Sequence, residues 1–221
     1  MNGDTIRITA MLAGGTTVLL AVIAIPLGYW LARTRASWRP LVDALVALPL
    51  VLPPTVLGFY LLRGTGPDSI VGRAYATLTG GGTLPFSFAG LLAASVIYNL
   101  PFAVRPIAAG FTAVDRRLVE AARCLGASPA RAFARVDLPL AWPGVIAGLV
   151  LTFTHTVGEF GVVLMIGGNI PGVTRTASLA IYDDVQALNY AAAGNASLAL
   201  LLLAFATLAI AYALQRRAFP L

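Results

Sequence analysis

Five long stretches of this chain contain no Asp, Glu, Arg or Lys. A helix of roughly 20 mostly apolar residues crosses the ~30 Å hydrocarbon core of a membrane, and all five stretches are near or above this length. Because lipid offers no hydrogen bonds to the backbone, such segments are helices. The sequence therefore predicts an all-α, polytopic membrane bundle with five transmembrane helices. The stretches are Ile8–Ala32, Ala44–Leu62, Ala74–Val104, Leu138–Gly158 and Val185–Gln215.

Composition agrees with this fold class, because 58% of the residues are hydrophobic and only 11% are charged, against about a quarter charged in soluble domains. Gly80–Gly82 and Pro85 place the start of the third helix near Leu84, and Asn189 and Asn195 shorten the fifth. The first stretch lacks the basic region and cleavage site of a secretory signal peptide, so we expect it to be retained. We predict one domain, residues 1–221, with spans at about 10–32, 44–62, 84–104, 138–158 and 196–214.

The basic residues predict how the bundle is oriented. The chain has fifteen Arg and no Lys, and eleven of the Arg follow the first, third or fifth span. Basic residues concentrate on the cytoplasmic side, so we expect the N-terminus outside and the C-terminus in the cytoplasm of a prokaryotic inner membrane. A nucleic-acid binder would carry this charge as a surface patch instead, so we expect no nucleic-acid partner. The eleven are Arg33, Arg35, Arg39, Arg105, Arg116, Arg117, Arg123, Arg131, Arg135, Arg216 and Arg217.

The predicted cytoplasmic loop, residues 105–137, has the pattern of two short amphipathic helices. Gly126 is placed to end the first helix, and Ser128 followed by Pro129 is typical of the start of a second, which we predict over Pro129–Arg135. Together they would form a docking surface. An interfacial helix lying on the membrane is the alternative, but it would need a larger apolar face. The apolar stripe of the first helix is Val114, Leu118, Ala121, Ala122 and Leu125.

Part of this loop resembles the EAA signature of ABC-importer permeases. The matching residues are Glu120-Ala121-Ala122, Gly126 and Val136-Asp137-Leu138-Pro139, with Val136 where the family usually has Ile. The resemblance implies a type I permease fold that works as a homodimer, and a coupling helix that docks in a cleft of a cytosolic ATPase subunit. On this basis the candidate ATPase-coupling residues are Glu120, Ala121, Ala122, Leu125, Gly126, Ala127, Ser128 and Pro139.

The absence of Lys bears on the energy source. A nucleotide-binding P-loop needs a Lys that reaches the phosphates, and this chain has none. We therefore expect a non-enzymatic subunit without cofactors that is driven by a separate ATPase. A chain of 221 residues that is mostly membrane spans leaves no room for a ligand-capturing lobe. We expect a periplasmic or lipid-anchored binding protein to deliver the substrate.

Two segments, 155–183 and 52–60, resemble the molybdate branch of these permeases, which implies import of molybdate or tungstate. Sulfate and thiosulfate permeases share the core Gly158-Glu159-Phe160-Gly161 and the element Asn169-Ile170-Pro171, so they are the alternative. No basic residue lies at the centre of a span. A path lined by hydroxyls and backbone N–H groups would hold an oxyanion weakly enough to release it, whichever oxyanion it is.

Polar residues inside the membrane are functional candidates. His155 and Glu159 lie four residues apart at the outer end of the fourth span, where they would form an extracellular gate or a structural hydrogen-bonded pair. Thr152 and Thr156 are further candidates for the pathway. One His and one carboxylate are too few ligands for a metal site. Arg175, Asp183 and Asp184 would meet the binding protein or form a solvated loop.

Two other classes of function would require different sequence features. An ion-coupled secondary transporter would show paired discontinuous helices and buried coupling-ion residues. An intramembrane enzyme would need a nucleophile or a third ligand beside His155 and Glu159. Neither pattern is clear in the sequence, and neither function would use the EAA segment.

Overall fold

The computed structural model describes residues 2–218, except for the side chains of residue 212 and residues 214–218. The side chains of Arg216 and Arg217, which contribute to the predicted orientation, lie outside the described residues. Within the described part every regular element is a helix, so the all-α fold class is confirmed. The helices are α1 (Gly3–Arg33), α2 (Arg39–Val51), α3 (Pro54–Thr65), α4 (Ile70–Thr79), α5 (Phe88–Ala113), α6 (Arg116–Cys124), α7 (Pro129–Ala132), α8 (Leu138–Val157), α9 (Gly161–Gly167), α10 (Ala177–Gln186) and α11 (Tyr190–Ala218).

Four continuous helices in this part of the chain are long and apolar enough to cross a membrane. They are α1, α5, the helix over Pro129–Val157 and α11, and they correspond to the first, third, fourth and fifth predicted spans. The helix pair α2 and α3 brings the number of candidate spans to five if the pair counts as one broken span.

The second predicted span, 44–62, is not one continuous helix but corresponds to the pair α2 and α3. Helices α2 and α3 meet at an angle of 111°. The break falls at Pro53 and Pro54, which have no N–H to continue the helical hydrogen bonds. Leu52 is extended, with ψ 137°, as is usual for a residue before proline. Two adjacent prolines therefore divide the segment into a broken span.

Two span boundaries also differ from the prediction. Helix α5 starts at Phe88, after the predicted 84, because the Ser87 hydroxyl accepts a hydrogen bond from the Gly90 N–H at 3.1 Å and caps the helix. It continues to Ala113, so the first part of the predicted loop is helical. The helix that contains the fifth predicted span, 196–214, begins earlier, at Tyr190, because Asn189 accepts hydrogen bonds from the first turn.

The second cytoplasmic helix predicted over Pro129–Arg135 is not a separate element. Helix α7 continues through a π-helical turn, Phe133–Asp137, into α8. The Leu138 N–H donates to the carbonyl of Phe133, five residues back. Pro139 has no N–H for the carbonyl four residues back, and the wider π turn just before it accommodates this proline within the helix.

The core lies where α1, α5 and α8 pack together. Helices α5 and α8 cross so closely that a Cβ added at Gly144 would lie 2.7 Å from the Cα of Gly110. At Gly148 a Cβ would lie 2.7 Å from the carbonyl oxygen of Ala103. Small residues therefore allow the backbones to touch.

A second apolar cluster joins α3 and α9 to α5. Helix α9 is short and carries three buried aliphatic side chains, Val162, Val163 and Ile166. Close contact with α3 depends on Gly58, where a Cβ would lie 2.7 Å from the Met165 side chain, and on Gly161, which lies against Pro54. This packing fixes the break between α8 and α9, where the buried carboxylate of Glu159 lies.

Candidate functional site

Glu159 lies in the short connection between α8 and α9 and is only 3% exposed. One carboxylate oxygen accepts a hydrogen bond from the Ser95 hydroxyl at 2.8 Å, and the other accepts from the side-chain amide of Asn99. The Ser178 hydroxyl donates to the main-chain carbonyl of Glu159. Glu159 therefore connects α5, the end of α8 and α10.

His155 reaches Glu159 through Asn99 rather than directly. Its Nδ1 lies 2.9 Å from Asn99 Oδ1 but 3.9 Å from Glu159 Oε1, which is beyond a hydrogen bond. Because the amide nitrogen of Asn99 faces Glu159, its carbonyl oxygen faces His155, so His155 Nδ1 carries the proton. The imidazole stacks on Phe102 with ring centres 3.9 Å apart. We call Ser95, Asn99, His155 and Glu159 the buried polar cluster.

The two threonines predicted for the pathway lie outside the buried polar cluster. Thr152 and Thr156 are both buried. Their hydroxyls donate to the carbonyls of Gly148 and Thr152, each at 2.8 Å, within α8. Their donor hydrogens are thus used by the helix itself.

Sequence reasoning identified His155 and Glu159 but missed Ser95 and Asn99. A signal was available, because both are polar residues inside a charge-free stretch and their spacing of four places them on one face of α5. Asn99 also donates to the Ser95 carbonyl at 2.8 Å. Among the described residues no three His, Cys, Asp or Glu side chains converge as metal ligands.

The predicted coupling helix is α6, within what we call the coupling segment, residues 115–137. The Asp115 side chain accepts from the Arg117 N–H at 2.9 Å and caps the helix. Glu120 and Ala121 are exposed, and Leu125 is 90% exposed. Gly126 ends the helix with φ +87°, a left-handed conformation that favours glycine. The apolar face of α6 is therefore largely uncovered.

A groove of about 350 Å³ runs beside α6. It is lined by two arginines and five apolar residues: Arg131, Arg135, Ala122, Leu125, Ala127, Ala132 and Val136. Two other predicted coupling residues do not line this groove. The Ser128 hydroxyl caps α7 by accepting a hydrogen bond from the Arg131 N–H at 3.3 Å. Pro139 is exposed and lies within the continuous helix that leads into α8.

Arg33, predicted only as an orientation signal, anchors both ends of the coupling segment. Its guanidinium forms an ion pair with Asp137, whose side chain is 1% exposed. Its main-chain carbonyl accepts a hydrogen bond from Arg116 at 3.4 Å. The end of α1 is therefore joined to the first and last turns of the segment.

At the opposite end of the bundle, the loop before α10 is held by a network of three side chains. Arg175 lies 3.1 Å from the Asp183 carboxylate and donates to Asn169 Oδ1 at 3.0 Å. Asn169 donates to Asp183 at 2.9 Å. Asp184 makes none of these contacts. Of the three predicted outer residues, Arg175 and Asp183 thus form one hydrogen-bonded network with Asn169.

Residues 24–220 match the family model described as binding-protein-dependent transport system inner membrane component. The chain is 52% identical to the molybdenum transport system permease protein ModB of Azotobacter vinelandii over 211 residues, which cover 96% of this chain and 93% of that protein. It is 39% identical to ModB of Escherichia coli K12 over 173 residues, which cover 76% of this chain and 75% of that protein. Identity to ModB of Haemophilus influenzae is 36% over 186 residues, covering 84% and 81%.

Two solved structures share the fold. A bacterial ABC transporter for import of the acidic polysaccharide alginate superposes with a TM-score of 0.78 at 19% identity, covering 97% of this chain and 78% of that one. The inward-facing MetNI methionine ABC transporter superposes with a TM-score of 0.76 at 19% identity, covering 97% and 94%. These likenesses show the architecture of an ABC-importer membrane subunit.

Proposed function

The chain belongs to the family of inner membrane components of binding-protein-dependent transport systems, and we propose that it is the permease subunit of a molybdate ABC importer. The observation that carries the proposal is the 52% identity to a molybdenum permease over nearly the whole length of both chains. The segments 52–60 and 155–183, which resemble the molybdate branch, fold into the α2–α3 break and the region of the buried polar cluster.

A system of this family includes a separate ATPase and a binding protein, so this multi-pass inner membrane subunit is not itself an enzyme. The number of copies and the orientation are part of the proposal: two copies of this chain, two ATPase subunits, and the coupling segment in the cytoplasm. The Arg-rich ends of the spans support this orientation.

In the proposed mechanism, nucleotide binding draws the two ATPase subunits together and swings the docked α6 helices. Glu120 supplies a charged contact, Ala121 and Ala122 allow close packing, and Gly126 fixes the angle at which α6 leaves the segment. The exposure of Glu120, Ala121 and Leu125 supports this role, because a docking face must be uncovered in the single subunit. Hydrolysis resets the pathway inward.

The buried polar cluster is the proposed gate region of the pathway. Glu159 joins three helical elements at a break between helices, so movement of one element breaks polar contacts with the others. If these polar contacts are made in one state of the transporter and broken in the other, the cluster would close the path in the first state and open it in the second. Sulfate transport is the second candidate, favoured by the core Gly158-Glu159-Phe160-Gly161 that sulfate permeases share.

The test is ATP hydrolysis by the complete importer reconstituted in liposomes, with binding protein loaded with molybdate, tungstate or sulfate. Stimulation by the molybdate-loaded protein and not by the sulfate-loaded protein is the expected result. Stimulation by sulfate alone would move the chain to the sulfate branch. No stimulation by any oxyanion, in a complex verified to be assembled, would overturn the proposed transport function.

A further inference from the structure

A cleft of about 210 Å³ lies between α2 and α5 at the end of the bundle that carries the coupling segment. Arg39 and Asp43 line it from α2, and Arg105 lines it from α5. Ala108 and Ala109 lie on the same face of α5 as Arg105, and their small side chains leave the floor open. We call this space the guanidinium cleft.

The guanidinium cleft carries excess positive charge. Arg39 and Asp43 form an ion pair at 3.4 Å along α2, with both side chains about half exposed. Arg105 makes no ion pair with any carboxylate in the described part of the chain. The Thr112 hydroxyl at the rim donates to the Ala108 carbonyl at 2.8 Å. The cleft thus holds two guanidinium groups and one carboxylate, and that carboxylate pairs with Arg39 and not with Arg105.

Arg105 is exposed, and its position along α5 bears on which partner its charge can have. Helix α5 has 26 residues, so it is about 39 Å long, which exceeds the ~30 Å hydrocarbon core. Arg105 lies about 12 Å before the end of α5, at 1.5 Å per residue. That places it near the membrane boundary, where a charged side chain needs water or an anionic partner.

We propose that the guanidinium cleft binds a tetrahedral oxyanion between Arg39 and Arg105. A guanidinium offers paired N–H donors that match two oxygens of a tetrahedral anion. Two sources share this chemistry: the phosphate of an anionic phospholipid in the cytoplasmic leaflet, and the oxyanion cargo after it leaves the pathway. Only the cargo source rests on the proposed function.

The test uses the complete importer with wild-type permease, Arg105→Gln, Arg39→Gln and the control Arg35→Gln. Arg35 is exposed in the same Arg-rich region but does not line the cleft. One arm delipidates the complex and measures retained phosphatidylglycerol against phosphatidylcholine by native mass spectrometry. The other measures equilibrium binding of radiolabelled molybdate, and separately of sulfate, in nanodiscs of phosphatidylcholine alone.

Loss of a charge-assisted hydrogen-bond pair should weaken binding roughly tenfold or more in both cleft variants and leave Arg35→Gln unchanged. Weaker phosphatidylglycerol binding alone supports the lipid source, and weaker oxyanion binding alone supports the cargo source. Unchanged binding in both arms, an equal loss in Arg35→Gln, or no binding to wild type would overturn the proposal. Molybdate uptake by the Arg35→Gln importer, measured with molybdate-loaded binding protein, tests the proposed transport function independently of the cleft.

Discussion

Arg33, the last residue of α1, forms an ion pair with Asp137, the last residue of the π turn that leads into α8. The two residues are 104 positions apart in the chain, and the Asp137 side chain is 1% exposed. The pair therefore fixes the base of the α8 helix against the end of α1.

Substituting Asp137→Ala should destabilise the permease by about 3–5 kcal/mol, because it leaves the Arg33 charge without its partner in a largely buried site. The double substitution Arg33→Met and Asp137→Leu should recover most of that loss, since no buried charge remains. Thermal unfolding in detergent measures all variants. A double variant no more stable than Asp137→Ala would contradict a charge-based explanation.

Glu120→Ala should leave membrane insertion intact and weaken binding of the ATPase subunit roughly tenfold, as expected for loss of one charged interface contact. Binding of purified ATPase to permease in nanodiscs measures the effect. Asp68→Ala is the matched control, because Asp68 is exposed on the opposite side of the predicted topology. Equal affinities for wild type and Glu120→Ala would refute the coupling role.

Gly126→Val should leave ATPase binding in place and uncouple hydrolysis from transport. A β-branched residue at φ +87° costs on the order of 1–3 kcal/mol of backbone strain, so the end of α6 should change direction. An added Cβ meets no atom within 4 Å, so backbone conformation and not a clash is tested. Gly126→Asn, which tolerates left-handed backbone, should keep coupling; normal transport per ATP in Gly126→Val would contradict the prediction.

Asn99→Leu should lower stability by about 2–3 kcal/mol, since Glu159 and His155 both lose a buried partner. It should also abolish coupled transport if the buried polar cluster is the gate. Thr156→Val is the control, because its hydroxyl serves only its own helix, and its cost should be at most about 1 kcal/mol. Uptake by Asn99→Leu at the wild-type rate would remove the cluster from the pathway.

Gly144→Ala should destabilise the crossing of α5 and α8 by about 1–3 kcal/mol, because the new methyl group meets backbone atoms that cannot rotate away. Gly14→Ala in α1 adds the same methyl group where nothing lies within 4 Å, so it should cost nothing. The difference in unfolding temperature between the two variants is the measurement. Equal stability would show that the helices can separate without cost.

Charge-free stretches predicted the helices because lipid leaves the backbone no alternative to internal hydrogen bonds. The charge-free stretches did not show that the second span breaks at Pro53 and Pro54, or that the fourth helix continues through Pro139. Hydropathy does not show whether a proline breaks a helix, as it does between α2 and α3, or is accommodated within the helix by a π turn, as Pro139 is. That outcome depends on neighbouring helices.

The candidate site was predictable where its residues form a local pattern, and not where they contact residues distant in the sequence. Glu120 and Gly126 were predicted from a local pattern, and the structure shows the first exposed and the second at positive φ. Asn99 was missed because its partners, Glu159 and His155, lie 60 and 56 positions away. Arg33 was assigned only to topology for the same reason, since its partner is distant in sequence.

The uninterrupted helix from Pro129 to Val157 has a mechanical consequence. Its 29 residues make a rod about 44 Å long, with a wall of the groove beside α6 at one end and His155 near the other. A tilt of only ~5° about one end moves the opposite end by about 4 Å over this length. The helix can therefore act as a lever, so that a small displacement at the end where we propose that the ATPase docks is enough to separate hydrogen-bonded groups near the other end.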